Sequence, residues 1–445
     1  MLPIDPSEAR VRVAFQALEE DDRLANVGWL DHRFTSETVA PTETPIRGNS
    51  LAPGGQRTPA TQGKIRTAGS INVDLEPEGL TPYLALFQRR ARNPVDLGGG
   101  AWQHILHPNA TDLELRKRRL QVQLFRGDDA IQNSYGVGIG GFQFTANPDQ
   151  VWAGQVDLVG ARTDYWAFPV QTSGTSMAPY LRGYPRIDLW DPLDEGGADV
   201  LKVRVTNNAP AVGDLEVAIT RDAVPFGANV FPIVAGEWTR VRLSEDGSHI
   251  GRAPSHVEIL FDDLTGIAIG DEWEVPIRVA TPWVQSLPLI DRLSEVETDV
   301  RVDGVLVPGV INSIGLTARQ TAESSAGVGG VWPQGVSMGG QRQVSWALDK
   351  EMVDNRFQRR LDSSTPVHLE VRVRSQVRIG SSGVFYEMRF VSPSCKLSDT
   401  RPTVQDADTQ REQYNLETGI AALPDAEGFQ DDLTIVLTNG LASIV

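Results

Sequence analysis

Several groups of residues in this sequence have types and spacings that could do chemistry. Ser176, within Gly174 to Pro179 (GTSMAP), is placed as a nucleophilic serine would be. Such a hydroxyl needs a base to take its proton and a carboxylate to orient that base. His104 and His107 lie three apart, so one helical turn would bring both to a common metal ion. Gly136 to Gly141 (GVGIGG) satisfies GxGxxG, the pattern that receives a pyrophosphate between a strand and a helix. Arg116, Lys117, Arg118 and Arg119 form the strongest basic run and could meet phosphates.

The surroundings of each group weaken its chemistry. GTSMAP resembles the serine motif of subtilisin-like proteases, but no His-Gly-Thr or Asp-Ser/Thr-Gly precedes Ser176, and Tyr180 stands where a histidine would follow. The segment reads better as a linker. Phe142, Gln143 and Phe144 continue the glycine run as a strand, so GVGIGG reads as the flexible part of a twisted or bulged strand. Neither histidine has patterned Cys or acidic partners, and ordinary surface or half-buried roles fit them better. The basic run is flanked by Asp112 and Glu114 and opens a strand, which suits a solvated edge or an intersubunit ion-pair site. Cys395 is the only cysteine, so no intrachain disulfide is possible, and a buried thiol is expected. Among 58 acidic residues no catalytic pair is singled out. The sequence therefore nominates no catalytic, cofactor-binding or metal-binding residue.

The elements that must carry these residues are mostly strands. Gly69 to Arg90 places Ile71, Val73 and Leu75 in alternation with polar residues, then Leu80, Leu84 and Phe87 at helical spacing. Arg342 to Arg360 repeats the order: Val344, Trp346 and Leu348 alternate, and Val353 and Phe357 follow at helical spacing. Both segments end on Phe-Gln-Arg-Arg. Further alternating runs include Leu120 to Leu124, Val137 to Phe144, Val156 to Leu158, Ile314 to Ala318, Val367 to Val373 and Tyr386 to Phe390. Glu323 to Gln343 reads as a long Gly-rich loop carrying an exposed Trp332. Val11 to Leu18 reads as a short helix, and the polar Pro- and Gly-rich stretch after it as a disordered segment or an arm that orders against a neighbour.

The 445 residues allow two to four domains at about 100 to 200 each. With 42 Gly and 28 Pro dispersed among short alternating runs, an all-β class is expected. The boundaries read as an extended arm over 1–64, a β unit over 65–170, an inserted β-sandwich over 171–288, and a second β unit with a C-terminal arm over 289–445. A net charge of −17 makes the chain a poor grip for nucleic-acid phosphates and suits a surface past which DNA slides. The N-terminus lacks a signal-peptide pattern and no apolar run approaches the roughly 20 residues of a membrane helix, so synthesis in the cytoplasm is expected.

Three stretches carry a family resemblance: Thr67 to Phe87, Val300 to Ala318, and Trp332 to Phe357 followed by Ser364 to Val373. They are similar to the major tail tube proteins of long-tailed (siphophage-type) bacteriophages, over roughly residues 40–170 and 295–420. The resemblance implies two tandem tail-tube-type β-barrel or sandwich units, each with a short flanking helix. The remaining sandwich, immunoglobulin-like or jelly-roll-like, would project from the outer surface. It further implies a structural virion protein without catalysis or cofactor. Such subunits form stacked rings, here a homotrimeric pseudo-hexamer, through which viral DNA passes unbound. The implied partners are other copies, the tail terminator, the tape measure and the tail tip proteins. Two other roles stay open on the residues: a glycan-binding adhesin using Trp190, Trp238 and Trp273 of the middle sandwich, and a hydrolase built on Ser176 or an acidic pair.

Overall fold

A computed structural model describes residues 9–16, 29–46, 51–52, 56–57, 61–125, 131–148, 150–164, 170–173, 180–183, 200–207, 215–221, 224–237, 239–242, 256–261, 264, 266–276, 293, 298–307, 310–325, 333, 335–351, 359, 365–406 and 409–444. The fold is mainly β. The N-terminal region gives β1 (Arg10–Phe15), β2 (Leu30–His32), β3 (Ser36–Glu37), β4 (Ala40–Ile46), β5 (Leu51–Ala52) and β6 (Gln56–Arg57). The expected helix at Val11 is instead the strand β1. Val11 and Val13 alternate as well as they repeat helically, their β-branched side chains favour the pleat, and both are fully buried between β2 and β12. The polar stretch that follows is not a detached arm where it is described. Its β3 and β4 pair with β7 (Thr61–Asp74), from Ser36 against Asn72 to Ile46 against Thr61.

After β7 comes the helix α1 (Thr81–Gln88). Pro82 sits in its first turn, where a missing N–H costs nothing, and Thr81 Oγ1 donates to Pro77 O at 2.5 Å. Arg89 ends the helix in the left-handed conformation at φ 64°, its N–H bonded to Ala85 O at 2.8 Å. Every residue of α1 is buried. A helix covered on all sides needs no polar face, so the amphipathic reading of Leu84 and Phe87 understates its burial. Phe87 meets Phe142 edge-to-face at 4.9 Å. The chain continues through β8 (Arg90–Ala91), β9 (Val95–Gly98), β10 (Ala101–Leu106), β11 (Leu113–Glu114), β12 (Leu120–Phe125), β13 (Ile131–Ala146), β14 (Ala153–Gly160) and β15 (Arg162–Asp164).

The middle region holds β16 (Val170–Ser173), β17 (Tyr180–Gly183), β18 (Val200–Asn207), β19 (Leu215–Arg221), β20 (Val224–Ile233), β21 (Thr239–Arg242), β22 (His256–Leu260) and β23 (Glu272–Pro276). These form two antiparallel sheets of their own, ordered β16-β23-β18-β19-β20 and β17-β22-β21. Phe261, just after β22, packs edge-on against Trp273 of β23 at 5.4 Å, joining the two layers.

The last region holds β24 (Thr298–Val302), β25 (Val305–Leu306), β26 (Ile311–Ser325), β27 (Gly335–Glu351), β28 (Val367–Arg378), β29 (Phe385–Asp406), β30 (Thr409–Thr418) and β31 (Thr434–Asn439). Of the Gly-rich loop expected over Glu323 to Gln343, residues 323–325 and 335–343 are strand, because β26 and β27 pair out to Ser325 and Gly335, while 326–332 and 334 lie outside the described residues. Val336, on that stretch, is buried and pins the hairpin to the body. The second expected helix falls on residues 352–358 and 360, outside the described residues.

Strands from 65–170 and 289–445 belong to common layers. One layer runs β3/β4-β7-β14-β13-β26-β27-β30-β29, joined across the two regions where β13 pairs with β26. A second runs β25-β24-β28-β29-β31-β10-β9, joined where β31 pairs with β10. The long strand β29 serves both. The first half of β13 enters a third layer with β12, β1, β2 and β15. No closed barrel is formed among the described strands. A single hydrophobic cluster spans both regions, with α1 inside it.

Close packing between β13 and β14 is testable. A Cβ on Gly154 would lie 2.0 Å from Gln143 O and 2.4 Å from a Phe144 ring carbon, whereas one on Gly339 would meet nothing within 4 Å. Gly154→Ala is expected to destabilise the protein by about 1–3 kcal/mol and Gly339→Ala by less than about 0.5 kcal/mol. Urea unfolding of both variants checks this; equal midpoints would contradict it.

Candidate assembly surface

In the first layer, side chains of one parity point into the core and those of the other point out. The inward set includes Ile71, Val156, Phe144, Leu316, Trp346 and Leu416, all essentially buried. The outward set lines up across the strands. Ser36, Asn72, Gln155, Gln143, Thr317, Ser345, Glu417 and Lys396 stand in register from β3 to β29. From β3 to β27 that row is polar and uncharged. The next row outward is Ser70, Asp157, Gly141, Arg319 and Gln343, and it carries one charge of each sign. The outer face of the second layer differs: Arg372 bonds Glu387 at 2.7 Å, and Arg389 bonds Glu427 at 2.7 and 2.6 Å.

Both rims of the first layer are exposed at the level of strand pairing. Of the described strands, β3 and β4 pair only with β7, and beyond Cys395 β29 pairs only with β30. Hairpins extend from opposite ends. The β4–β7 and β26–β27 hairpins project at one end, and the β29–β30 hairpin, closing at Asp406 and Thr409, projects at the other. At that second end lies a groove of about 330 Å³, lined by Val300, Leu306, Val307, Val310, Ile311 and Ile314 among others. Val305, Leu306 and Val310 are more than half exposed there.

A polar cluster fixes the hairpin side to the core. Gln88 Nε2 donates to Leu433 O at 3.0 Å, and Arg342 Nη1 donates to Gln88 Oε1 at 2.8 Å. The Arg342 guanidinium lies 4.9 Å over the Phe87 ring and 3.2 Å from Asp432. Arg89 Nη2 donates to Gln320 Oε1 at 2.5 Å, and burial, then the charges of Arg342, Arg116 and Arg119, lower its pKa. Arg119, expected at a solvated edge, is instead buried. Its Nε donates to Val336 O at 2.9 Å and its Nη2 to the same oxygen, while Nη1 bonds the carbonyls of Arg116 and Arg118. The partner that draws it inward, Val336 O, lies 217 positions away, so no local pattern marks its burial. Arg116 and Lys117 remain exposed.

The residues with chemical potential are scattered. His104 is on strand β10 rather than a helical turn, fully buried, with Nε2 donating to Leu441 O at 2.9 Å. His107 faces Asp431 instead, 2.8 Å from its Oδ2. The two do not share a metal site, and among the described residues no group of three His, Cys, Asp or Glu is placed to hold a metal. GVGIGG lies inside β13 with a bulge between Ile139 and Gly141, as a bulged strand would. A Cβ on Gly141 would stand 2.6 Å from Ala318 O, which explains the glycine by close strand approach. Cys395 is buried, and burial pushes its thiol up to about 12. Trp273 is fully buried, so it is a core residue of the middle region and not a sugar platform. Ser176, Trp190, Trp238 and Trp332 lie outside the described residues. No helix among the described residues is long and apolar enough to cross a membrane.

Comparison with known proteins finds no family model and no curated protein that matches the chain.

His32 ties the N-terminal layer to α1: its Nε2 is 2.7 Å from Tyr83 Oη, and its ring stands edge-on to Tyr83 at 5.3 Å. Burial lowers its pKa to about 4. The folded value lies below the ordinary one near 6.5, so its contribution is whole at neutral pH and is lost as pH falls toward 4. The size is on the order of 3 kcal/mol. Burial raises Glu76 and Glu78 nearby, which acts in the opposite sense. His32→Gln, which can keep a bond to Tyr83, should remove this acid sensitivity. Urea unfolding of both proteins between pH 7 and 4 checks it, and parallel pH slopes would disprove the assignment.

Proposed function

We propose that the protein is a structural subunit of a long-tailed phage tail tube, polymerising into stacked rings around a conduit for the genome. The observation that carries this reading is the eight-stranded layer, with an outward row that is polar and uncharged from β3 to β27 and a packed core behind it. Such a face wets a channel without holding phosphates. Its two rims fit a ring. The rim strand β4 runs opposite to the rim segment of β29, so copies placed side by side around an axis would continue the sheet antiparallel throughout. The 65–170 and 289–445 regions would then be the two tandem tube-type units, fused at the β13–β26 pairing, and the middle region would project outward.

Dimensions support a trimer. At about 4.8 Å spacing and a tilt of roughly 40°, each strand occupies about 6 Å of circumference. Eight strands then span about 50 Å. Three chains close a bore of about 50 Å between backbones, and six a bore of about 100 Å. The narrower bore suits one double helix. The 15 residues of β26, tilted likewise, give an axial repeat of about 40 Å. The terminator, tape measure and tip proteins would be the further partners.

Electron microscopy of the concentrated protein, alone and with tail tip complexes, tests the proposal. Tubes with three-fold rings repeating at about 40 Å are expected. A population that remains monomeric under both conditions would overturn it.

A further inference from the structure

Within the basic run Arg119 is packed and Arg118 Nη1 donates to Gln16 O at 3.1 Å, which leaves the side chains of Arg116 and Lys117 to the surface. Arg116 and Lys117 are exposed, and Arg118 is half-buried. Their turn is fastened beneath the β26–β27 hairpin by Arg119, so it sits at the hairpin end of the first layer. Arg90 lies beside the turn through Glu114, and Arg319 is exposed farther down β26. Against these stands chiefly Glu114, 3.2 Å from both Arg116 and Arg90, with Glu323 farther along β26. A basic end is unexpected in a chain of net charge −17.

At the other end of the same strands the balance reverses. Asp349 and Glu351 close β27, and Asp299 borders the apolar groove. The intervening Lys350 is turned into the core and fully buried, so it does not offset them at the surface. Among the described side chains, Arg301, 4.0 Å from Asp299, and Arg411, opposite Glu351, are the cations at this end. From Val336, held by Arg119, to Asp349 is about 43 Å along β27 at ~3.3 Å per residue, so the two charged ends are well separated.

Resting on the tube reading above, we infer that successive rings mate through opposite charge: the Arg116–Lys117 turn of one copy docks on the Asp349–Glu351 strand end of the next, beside the exposed Leu306 and Val310. The occupant is a second copy of this chain, because the two surfaces complement each other and lie at opposite ends of one protomer. Such a heterologous contact repeats without closing and gives a filament. Salt weakens it over a Debye length of about 8 Å at physiological strength.

The test uses the full chain with Arg116→Glu and Lys117→Glu, with Asp349→Lys and Glu351→Lys, and with all four changes. Sedimentation and microscopy measure polymer at 0.05 and 0.5 M salt, and circular dichroism verifies the strand signal. Wild-type polymer should fall at least about tenfold at high salt. Each double variant should lose polymer by a similar factor, while an equimolar mixture of the two, or the fourfold variant, should recover it. Full polymer from either double variant, or no recovery in the fourfold variant and the mixture, would overturn the inference while leaving the tube reading intact. Failure of the wild type to polymerise would overturn both. A labelled duplex is included: loss of duplex binding in the Arg116/Lys117 variant with polymer unchanged would assign the turn to nucleic acid and reject the ring contact.

Discussion

The seam between β13 and β26 is the constraint on which the rest of the molecule depends. It pairs Gly141 with Arg319 and Ala146 with Ile314, residues far apart in the chain. The backbones approach closely enough at Gly141 that a single Cβ would strike Ala318 O. This pairing turns two regions of sequence into one layer, and only in a continuous layer do the outward residues of eight strands fall into one row. The same seam encloses α1. A helix buried on every side needs cover from both layers, and Phe87, Phe142, Phe144 and Phe390 supply a chain of ring contacts from one to the other.

Around that seam the polar interior is economical. Gln88, the last helical residue, accepts from Arg342 and donates to Leu433 O, so one amide links helix, first layer and second layer. Buried polar groups of this kind are stabilising only when paired, and each pairing also fixes a register. Arg119 does the same for the long hairpin by giving two donors to one carbonyl. Hydrophobic contact alone would let the β26–β27 strands slide, because their glycine-rich stretch offers few side chains to interlock.

Strand identity was legible wherever apolar and polar residues alternated, as at Ile71 to Val73, Leu120 to Leu124 and Val344 to Leu348. It failed at Val11 to Leu18, where a short valine-rich run fits both periods, and burial between two strands decided the matter. It failed again beyond Ala318, where glycines hide a strand because they leave no pattern to read. Strand partners were not legible. Alternation is a local property, while pairing joins residues separated by hundreds of positions. For that reason Asn72, Gln143, Thr317 and Ser345 can each be read as outward on their own strands, but the row they form cannot. Arg119 is hidden for a related reason: its charge suggests solvent, and the carbonyl that buries it comes from Val336.

The sharing of strands between layers has a mechanical consequence. Two sheets held face to face by side chains alone can shear past each other. Here β29 passes from one layer into the other, and β13 from the first into the third, as unbroken covalent chain. Relative slip would have to draw one of these strands through its own ladder, breaking many bonds together instead of one at a time. Under a pull along these strands the layers should therefore behave as one stiff body, with compliance confined to the projecting hairpins.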